Sequence, residues 1–555
     1  MGAVSIGYWK DGAILIFIFS LSGALEGYTM ERTNNAIESI MKLRPEEAIV
    51  LDGNVEKRVR VEELKQGDIL IVKPGERIAA DGIVNEGYSA VNQASITGES
   101  IPTDKSPGDE VFAGTMNGQG TLVFKVTKPA EATLLAKIIN LVQEAQSERP
   151  PSQLFVERFE RTYAKIVVAG AVLMATVPPF ILGWTWSETI YRAMIFLVVA
   201  SPCALVSSVM PAVLSGIANG ARNGILFKGG AYLEAIGNLR VVAFDKTGTL
   251  TEGVPKVTDI ATYGNYSENE LISIAASLET WSEHPIAKAI LGVAKEKSIG
   301  LLPTTKLEAI PGLGIHGSVD GRECRIGKMD LIEGLTLFEQ EKKTVRQLED
   351  QGKTVIFVNV ENDVIGFLAA VQDTLRPEAQ ETVKTLKQMG IKVVMLTGDN
   401  ASTAQIIGKQ AGVDQVYAEL LPEQKVEIIK NIGEHGKVAM IGDGVNDAPA
   451  LAASSVGIAM GAAGTDIALE TANVVLMADD ISKVPYAISL GQRSIRVIKQ
   501  NVTFAIAVIL TLVVSNFIGY VNLPLGVIGH EGSTIVVIIS GLRLLRQLRI
   551  QSSIP

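Results

Sequence analysis

Cysteine is scarce in this chain of 555 residues, which contains Cys203 and Cys324 alone. The two lie far apart in the sequence, and neither belongs to a Cys-x-x-Cys pair. A disulfide framework is therefore excluded, and the soluble parts are expected in a reducing compartment.

The chain also lacks an excess of positive charge. Its net charge is −10, which argues against nucleic acid as a partner. The sequence has no low-complexity tract and no repeat of solenoid length. It is too long for one hydrophobic core, so several domains are expected. A mean hydropathy of +0.27 together with 20% charged residues indicates apolar segments joined to soluble domains.

Apolar runs, in contrast, are abundant, and five are predicted to be transmembrane helices, each of which needs about 20 such residues. Trp184 and Trp186 separate the second run from the third, as expected at a membrane interface. Arg222 and Lys228 follow the third run, and the arginine cluster that begins at Arg543 continues beyond the last run to Arg546 and Arg549, which places those ends in the cytoplasm. The five segments are 12–30, 162–183, 188–218, 500–520 and 522–545. A helix leading back to the membrane is expected over 131–157.

Polar residues interrupt two of these segments. Ser201-Pro202-Cys203 lies in the third, where proline opens the backbone ladder and frees carbonyl groups. A thiol at such a break could bind a soft or borderline metal ion, but a kinked helix with an inert cysteine explains the motif equally well. His530 and Glu531 lie inside the last segment. Because ionisable residues are costly within a span, we expect them to be functional.

Residues 45–130 change in character. Short β-rich stretches alternate with Gly, Pro and Asp turns, which predicts a small soluble β domain. Its most conspicuous string is Thr97-Gly98-Glu99-Ser100, which taken alone favours an ordinary polar turn. The predicted strands are Ala48–Leu51, Asp68–Val72, Gly82–Val84 and Thr121–Val126.

The short apolar run Val241–Phe244 leads to Asp245 and predicts a buried strand with a carboxylate at its C-terminal end. Open α/β sheets bind their ligands at this end of their strands. Beside Lys246 and the hydroxyls of Thr247 and Thr249, the carboxylate could attack a phosphoryl group and form an aspartyl phosphate. A strand followed by a polar turn is the alternative at this point.

Asp245 is one of three carboxylates that follow predicted strands. Strands and helices alternate after it, which indicates a doubly wound parallel sheet. The second strand leads to Asp399, and the third, Lys437–Ile441, leads to Asp443. Three carboxylates at one sheet edge would suit Mg²⁺, which prefers hard oxygen ligands. Lys425, at the start of the helix before the third strand, could neutralise phosphate charge.

Between the first two of these strands, residues 255–370 are too long for a crossover connection and predict an inserted domain. The insertion contains Glu279, His284, Gly312 and Gly314. Glycines let the backbone approach a ligand closely. Next to a phosphoryl-accepting aspartate, the combination indicates nucleotide binding, although each motif alone is weak evidence.

Taken together, these motifs resemble a known family. Four strings resemble the signature set of P-type ATPases: Thr97–Ser100, Asp245–Thr249, Thr397–Asp399 and Gly442–Pro449. Ser282–Pro285 and Ser201–Cys203 are similar to motifs of the heavy-metal-transporting branch. The second of these, together with His530–Thr534, resembles the cobalt/zinc exporter subgroup. The resemblance covers nearly the whole chain and implies an ATP-driven exporter of a divalent transition metal.

The resemblance also implies a role for each matching residue. Asp245 would be the phosphorylated nucleophile, and Glu99 would align the water that hydrolyses the aspartyl phosphate. Asp443 and the Thr247 carbonyl would hold Mg²⁺ with the phosphoryl group on Asp245. The catalytic site would further contain Lys246, Thr249, Thr397, Lys425, Asn446 and Asp447. ATP would be bound by Glu279, His284, Gly312 and Gly314, with His284 at the adenine end. The transported metal would be bound by Cys203, His530, Glu531, Ser201 and Thr534.

These donors favour some metals over others. A thiolate, an imidazole and a carboxylate suit Co²⁺ or Zn²⁺ better than Cu⁺, which favours more sulfur; Fe²⁺ and Cd²⁺ are further candidates. Ser533 stands where the subgroup usually has glycine, which leaves selectivity open. The implied cofactors are ATP and Mg²⁺. We expect a monomer in the plasma membrane, surrounded by lipid, with its soluble domains and C-terminus in the cytoplasm.

The expected fold is a multi-domain α/β membrane protein with a transmembrane helical bundle, a β-rich actuator domain, a HAD-like doubly wound α/β phosphorylation domain and an inserted α+β nucleotide-binding domain. The expected boundaries are 1–44 for a helix stub and a second transmembrane helix, 45–150 for the actuator domain, 151–235 for a transmembrane pair, 236–255 and 371–485 for the phosphorylation domain, 256–370 for the nucleotide-binding domain, and 486–555 for the final transmembrane pair and tail.

The start of the chain motivates a second hypothesis. The family normally has further spans before 12–30, and at most a stub precedes that segment here. The chain would then be an N-terminally truncated, non-transporting fragment of such a pump, with metal-stimulated ATPase activity but no metal uptake into vesicles. The five spans disfavour a soluble phosphatase, and Ser-Pro-Cys disfavours a potassium or calcium pump.

Overall fold

A computed structural model describes residues 9–41, 45–53, 55–93, 102–133, 135–136, 139, 150–253, 255–282, 285–310, 313–331, 339–350, 353–361, 363–371, 374–399, 401–442, 447–460 and 470–546. The chain forms two compact units. The first contains residues 1–241, 429–440 and 444–555, and the second contains residues 242–428 and 441–443.

The described helices are numbered in chain order. They are α1 (Trp9–Met41), α2 (Pro151–Thr176), α3 (Pro178–Ile181), α4 (Trp186–Val199), α5 (Cys203–Val206), α6 (Met210–Arg222), α7 (Gly230–Gly237), α8 (Glu268–Leu278), α9 (Pro285–Glu296), α10 (Glu339–Asp350), α11 (Ala379–Gln388), α12 (Ala401–Ala411), α13 (Pro422–Gly433), α14 (Ala448–Ala453), α15 (Lys483–Ile518) and α16 (Leu523–Leu542).

The described strands are numbered in the same way. They are β1 (Glu47–Asp52), β2 (Val55–Arg60), β3 (Ile69–Val72), β4 (Gly82–Gly87), β5 (Ser89–Asn92), β6 (Thr103–Lys105), β7 (Glu110–Val111), β8 (Met116–Asn117), β9 (Leu122–Val126), β10 (Ile225–Phe227), β11 (Leu239–Asp245), β12 (Lys256–Thr262), β13 (Thr304–Ile310), β14 (Gly314–Val319), β15 (Arg322–Gly327), β16 (Lys353–Val360), β17 (Asp363–Val371), β18 (Lys392–Leu396), β19 (Gln415–Tyr417), β20 (Lys437–Gly442), β21 (Val456–Met460) and β22 (Val474–Leu476).

The first unit begins with α1 and a β domain. Six strands form a sheet in the order β2-β1-β3-β9-β4-β7, and β6-β5-β8 form a second sheet. Along β9, Leu122, Phe124 and Val126 are buried, whereas Lys125 between them is exposed. This alternation places every second side chain of β9 in the core of the domain. All four strands predicted in this region are present, with slightly different bounds.

Proline sets the helix boundaries in the apolar part of this unit. The helix predicted over 131–157 is wrong as a single element, because Pro150 is extended and α2 begins only after it. A residue that precedes proline, as Pro150 precedes Pro151, is biased away from the helical conformation. The segment predicted over 162–183 is likewise divided, since α2 ends at Thr176 and the short helix α3 begins with Pro178.

The predicted break at Ser-Pro-Cys is present. Helix α4 ends at Val199, and α5 starts at Cys203 after Pro202. Thr185 begins α4 as its N-cap, because its hydroxyl accepts a hydrogen bond of 3.2 Å from the Glu188 backbone N–H.

Three stretches of the described chain are long and apolar enough to cross a membrane: Trp186–Arg222, Lys483–Ile518 and Leu523–Leu545. They contain most of the predicted segments 188–218, 500–520 and 522–545. The other two, 12–30 and 162–183, lie in α1 and in α2 with α3, and remain predictions as spans.

A buried polar network joins the ends of three helices in this unit. The Asn219 amide of α6 donates to the carbonyls of Leu544, at 2.6 Å, and Arg546, at 3.0 Å. Its oxygen accepts hydrogen bonds from the Tyr486 hydroxyl, at 2.6 Å, and from the Asn223 amide, at 2.9 Å. The network satisfies carbonyls that the chain leaves unpaired after α16.

The α/β part contains a seven-stranded sheet in the order β10-β22-β21-β20-β11-β18-β19. Two of its pairs, β18 with β19 and β21 with β22, are parallel, whereas the edge strand β10 is antiparallel to β22. In β20, five of six residues are buried, as expected for a strand covered on both faces.

The insertion in the second unit has its own antiparallel sheet, in the order β12-β17-β16-β15-β14-β13. Helix α8 packs on it through a core that includes Leu271, Ile326 and Val358. The chain enters and leaves the insertion as a paired ribbon. Thr251 pairs with Leu375, the Glu252 N–H donates to the Thr374 carbonyl at 2.9 Å, and the Arg376 N–H donates to the Leu250 carbonyl at 2.9 Å.

Candidate functional sites

Asp245 is the last residue of β11, and its side chain is about one-tenth exposed. The chain then turns sharply through Gly248, whose φ of 72° suits a residue without a Cβ. The turn closes where the Thr251 N–H and hydroxyl both donate to the Lys246 carbonyl, at 3.1 and 2.8 Å. This geometry holds the carboxylate at the carboxyl end of the strand.

Two lysines contact carboxylates at this place. Lys425 Nζ of α13 lies 2.5 Å from Asp245 Oδ1, and both side chains are 10% exposed. Lys246 Nζ lies 2.5 Å from Asp399 Oδ2, which follows β18. The structure therefore brings together four predicted or neighbouring residues from three separate segments. Buried charges of this kind require such partners, since an isolated one is costly.

Hydroxyl groups complete the described part of the site. Thr397 is 2% exposed, and its hydroxyl accepts a hydrogen bond of 3.1 Å from the Asp399 N–H. Thr249 is fully buried, and its hydroxyl has no hydrogen-bond partner among the described residues. Thr247, in the turn, has extended backbone angles. A buried hydroxyl without a partner is uncommon, and a bound ligand could supply one.

Arg376 was not predicted. It lies where the chain returns from the insertion, and its guanidinium donates to the Gly248 carbonyl at 2.9 Å. The Arg376 backbone N–H also donates to the Leu250 carbonyl, so Arg376 holds the turn after Asp245 at two of its carbonyls. A cation directly after a long insertion is the signal that could have indicated it.

Five other predicted catalytic or nucleotide-site residues lie outside the described residues: Glu99, His284, Gly312, Asp443 and Asn446. Asp447, which follows them, is described separately in the first unit. It is 2% exposed and directly precedes α14.

Glu279 follows the last residue of α8 and is 8% exposed. Its Oε2 has no hydrogen-bond partner among the described residues. Burial raises the pKa of the Glu279 carboxyl, and a hydrogen bond from Ser282 opposes that rise. A buried carboxylate oxygen of this kind fits a ligand that brings a hydrogen-bond donor.

Gly314, a predicted nucleotide contact, lies very close to the backbone of a neighbouring strand. A Cβ at this position would lie 2.1 Å from the Ile326 carbonyl oxygen of the neighbouring strand. The close approach that excludes a side chain here is therefore made by the protein itself, whatever else binds nearby.

The predicted transmembrane residues are neighbours across the break between α4 and α5. His530 Nε2 lies 3.2 Å from the Ser201 carbonyl, and Ser201 Oγ lies 3.1 Å from Cys203 Sγ. His530 Nδ1 lies 3.3 Å from Glu531 Oε1. The free carbonyl of Ser201, a consequence of the proline break, thus faces the histidine.

Helix α16 supplies three further buried side chains. Glu531, Ser533 and Thr534 are 7%, 5% and 2% exposed. The hydroxyls of Ser533 and Thr534 donate to the His530 carbonyl, at 2.6 and 3.4 Å. Ser533, at the position where glycine was expected, is accommodated within the helix by this bond.

Within the described ranges, no group of three or more His, Cys, Asp and Glu side chains lies close enough to hold a metal ion. Cys203 is exposed, whereas His530 and Glu531 are buried. The five residues are therefore linked through Ser201 and do not form a preassembled three-ligand cluster.

Known proteins match nearly the whole chain. The model of the P-type ATPase actuator domain matches residues 42–143, and that of haloacid dehalogenase-like hydrolases matches residues 239–454. A zinc-transporting ATPase of Bacillus subtilis is 49% identical over 98% of this chain and 86% of its own length. A probable cadmium-transporting ATPase of Staphylococcus aureus is 45% identical over 98% of this chain and 76% of its own length.

The fold agrees with a solved structure. The crystal structure of a zinc-transporting PIB-type ATPase in the E2.Pi state is similar, with a TM-score of 0.67, 36% identity and coverage of 98% of this chain and 89% of that one. The expected multi-domain α/β membrane architecture with a HAD-like domain is thereby confirmed. The soluble domains are cytoplasmic and the apolar helices lie in the membrane. This chain belongs to the heavy-metal-transporting P-type ATPases, which hydrolyse ATP.

Proposed function

We propose that this protein uses ATP to export Zn²⁺ or Cd²⁺ through an aspartyl phosphate formed on Asp245. The observation that carries the proposal is the buried pair of Asp245 and Lys425 at the carboxyl end of β11. It supplies a nucleophile and a fixed positive charge where phosphoryl charge develops. We propose a monomer in lipid as the working unit.

In the first step, an Asp245 oxygen bonds to the γ-phosphorus of ATP while the bond from that phosphorus to the ADP oxygen breaks. Lys425 balances the negative charge, and the Thr397 hydroxyl can donate a hydrogen bond to the phosphoryl group. Lys246 is held by Asp399, and Arg376 keeps the turn in shape. In the second step, Glu99 aligns a water whose oxygen bonds to the phosphorus while the bond from that phosphorus to the Asp245 oxygen breaks, which releases inorganic phosphate and restores the Asp245 carboxylate.

Mg²⁺ fits the donors present at this site. Carboxylate and carbonyl oxygens are the ligands that it prefers, and the buried Thr249 hydroxyl still lacks a partner among the described residues. Asp245, the Thr247 carbonyl and Asp443 would hold the ion, which neutralises phosphoryl charge when bound. Asn446 and Asp447 would complete this side of the site.

The insertion would bind ATP. Glu279 supports this proposal, because its buried Oε2 has no hydrogen-bond partner among the described residues and could accept a hydrogen bond from an amino group on a nucleobase. His284, Gly312 and Gly314 are the other proposed contacts, on the resemblance of their motifs.

The cargo site would consist of Cys203, His530 and Glu531, assisted by Ser201 and Thr534. Sulfur and nitrogen donors favour Zn²⁺ and Cd²⁺ over Mg²⁺ and Ca²⁺. The zinc- and cadmium-transporting relatives support these two metals; Co²⁺ and Fe²⁺ are competitors for the same donors. Cys203 must approach His530 and Glu531 for all three to bind one ion, because they are not clustered as described.

Phosphorylation is tested with Asp245→Asn in membranes supplied with radiolabelled ATP. We expect no acid-stable phosphoenzyme, because the amide cannot act as the nucleophile. Asp363→Asn, at an exposed position of the same unit, is the matched control and should be phosphorylated normally. Undiminished phosphoenzyme in Asp245→Asn would refute the assignment.

The cargo is tested by ATPase stimulation with Zn²⁺, Cd²⁺, Co²⁺, Fe²⁺ and Cu⁺, together with metal uptake into inverted vesicles. Zn²⁺ and Cd²⁺ should stimulate, and Cys203→Ala or His530→Ala should abolish the effect. Cys324→Ala, which removes the other thiol from a buried position in the inserted domain, should retain it. Stimulation by Cu⁺ alone would contradict the proposed site.

A further inference from the structure

Ser22 is distinctive in helix α1. Of the side chains described in this helix, Ser22 is the one that is buried, at 3% exposure. Its neighbours Ser20, Leu21 and Gly23 are all exposed. A serine has little apolar surface to bury, so its burial points to a polar partner.

That partner is the carboxylate of the proposed cargo site. Ser22 Oγ donates a hydrogen bond to Glu531 Oε2, although 509 positions separate the two residues. The other oxygen, Oε1, lies 3.3 Å from His530 Nδ1. Each oxygen of Glu531 is therefore engaged by a separate group, one from another helix and one from its own.

A second contact orients α1 beside the same helices. The Tyr191 hydroxyl of α4 donates to Asp11 Oδ2 at 2.9 Å and accepts a hydrogen bond of 3.0 Å from the Leu523 N–H. Asp11 and Ser22 are 11 residues apart, which corresponds to about 16 Å along a helix. Two polar contacts at this spacing fix the position of α1 along its own axis relative to α16.

We propose that Ser22 is a positioning residue for Glu531 and thereby sets the affinity of the cargo site for its metal ion; this inference rests on the proposed function. Carboxylates that ligate metals are themselves usually hydrogen-bonded, and removal of such a partner typically costs 10–100-fold in metal affinity. Because a carboxylate oxygen has two lone pairs, Oε2 can accept from Ser22 while the carboxylate ligates the ion. The donor comes from α1, so a shift of α1 relative to α16 would change the affinity of the site.

The test uses the full-length protein in detergent with Zn²⁺ as the probe. Equilibrium zinc binding without ATP gives the dissociation constant, and zinc-dependent ATPase activity gives the half-saturating concentration and kcat. Ser22→Ala should raise the dissociation constant for zinc and the half-saturating zinc concentration about 10–100-fold. The kcat at saturating zinc should stay within about twofold, because a high zinc concentration fills the weakened site by mass action. Ser20→Ala, two residues away and exposed, is the matched control and should bind zinc normally.

Two further variants separate positioning from a general effect on folding. Ser22→Thr keeps the hydroxyl, so its zinc affinity should remain close to that of the unmodified protein. In a Glu531→Gln background, Ser22→Ala should have little additional effect, because its target is already altered. The proposal is overturned if Ser22→Thr loses as much affinity as Ser22→Ala, or if Ser22→Ala lowers affinity equally in both backgrounds.

Failure of the proposed function has a different signature. If Cys203→Ala, His530→Ala and Glu531→Gln all bind zinc normally, the cargo site lies elsewhere. If those three weaken binding and Ser22→Ala does not, the cargo site stands and the role of Ser22 is refuted.

Discussion

Replacement of Lys425 by methionine removes the charge that faces Asp245 and keeps much of the side-chain volume. The two side chains are 10% exposed, and Nζ lies 2.5 Å from Oδ1. At about 4 Å between charge centres and an effective dielectric constant of about 20, one unit of charge contributes about 4 kcal/mol. In the proposed phosphorylation of Asp245, the incoming γ-phosphoryl group would add negative charge at the same place, so this interaction would be stronger in the transition state than in the free enzyme.

A loss of about 3–4 kcal/mol corresponds to a phosphorylation rate about 10²–10³-fold lower, the range found when one preorganised donor is removed from an active site. The assay is rapid-quench phosphoenzyme formation with radiolabelled ATP at saturating zinc, since steady-state turnover would mix both steps of the cycle. Lys425→Arg keeps the charge in another shape and should be intermediate. Lys430→Met, exposed on the same helix, should leave the rate unchanged. A rate for Lys425→Met within about threefold of the unmodified protein would show that the lysine is structural.

Two other predictions concern stability. Glu279→Gln should raise the thermal midpoint in detergent at neutral pH and weaken ATP binding. Burial raises the pKa of Glu279 above its ordinary value of 4.5, so the charged carboxylate destabilises the folded state. This destabilisation is absent below pH 4.5, grows as pH rises toward the folded-state pKa and is full above it, so the stability gained by Glu279→Gln should shrink toward about pH 5. A gain that does not change with pH would contradict this reasoning. Asn219→Ala leaves two carbonyls and the Tyr486 hydroxyl without this partner, at about 1–3 kcal/mol for each group left unsatisfied, and should therefore lower the thermal midpoint more than Tyr486→Phe. An equal or smaller loss would show that Asn219 is not the central member of the network.

Local features of the fold followed from the sequence because they depend on short-range chemistry. The strand expected at Lys437–Ile441 is present as β20, and the strand expected at Asp68–Val72 is present as β3. Hydrophobic runs and the chemistry of proline determine such elements within a few residues. The chemistry of proline also predicted the break at Pro202, whereas the boundaries at Pro150 and at Pro178 were missed; at Pro178 apolar neighbours concealed the boundary.

The contacts that shape the two sites are long-range and leave no periodic signal. Lys246 and Asp399 are 153 positions apart, and Ser22 and Glu531 are 509 apart. The motifs contained both Lys246 and Asp399, and Glu531 but not Ser22, yet they predicted neither pairing, because register and packing decide which side chains meet. Arg376 escaped notice for the same reason, since its target is a backbone carbonyl.

The paired ribbon at residues 250–252 and 374–376 makes the inserted domain a module. Strands that pair in this way bring their backbones within about 5 Å, so the chain leaves the host sheet and returns to it at almost the same point. If the inserted domain were removed, the two chain ends left in the host domain would already lie side by side and could be joined by a short turn. Domain insertion is tolerated where the two ends lie close together in this way. Grafting a foreign module at this point, or excising the inserted domain, would therefore alter the length of a single hairpin and leave the strand that carries Asp245 continuous with its neighbours.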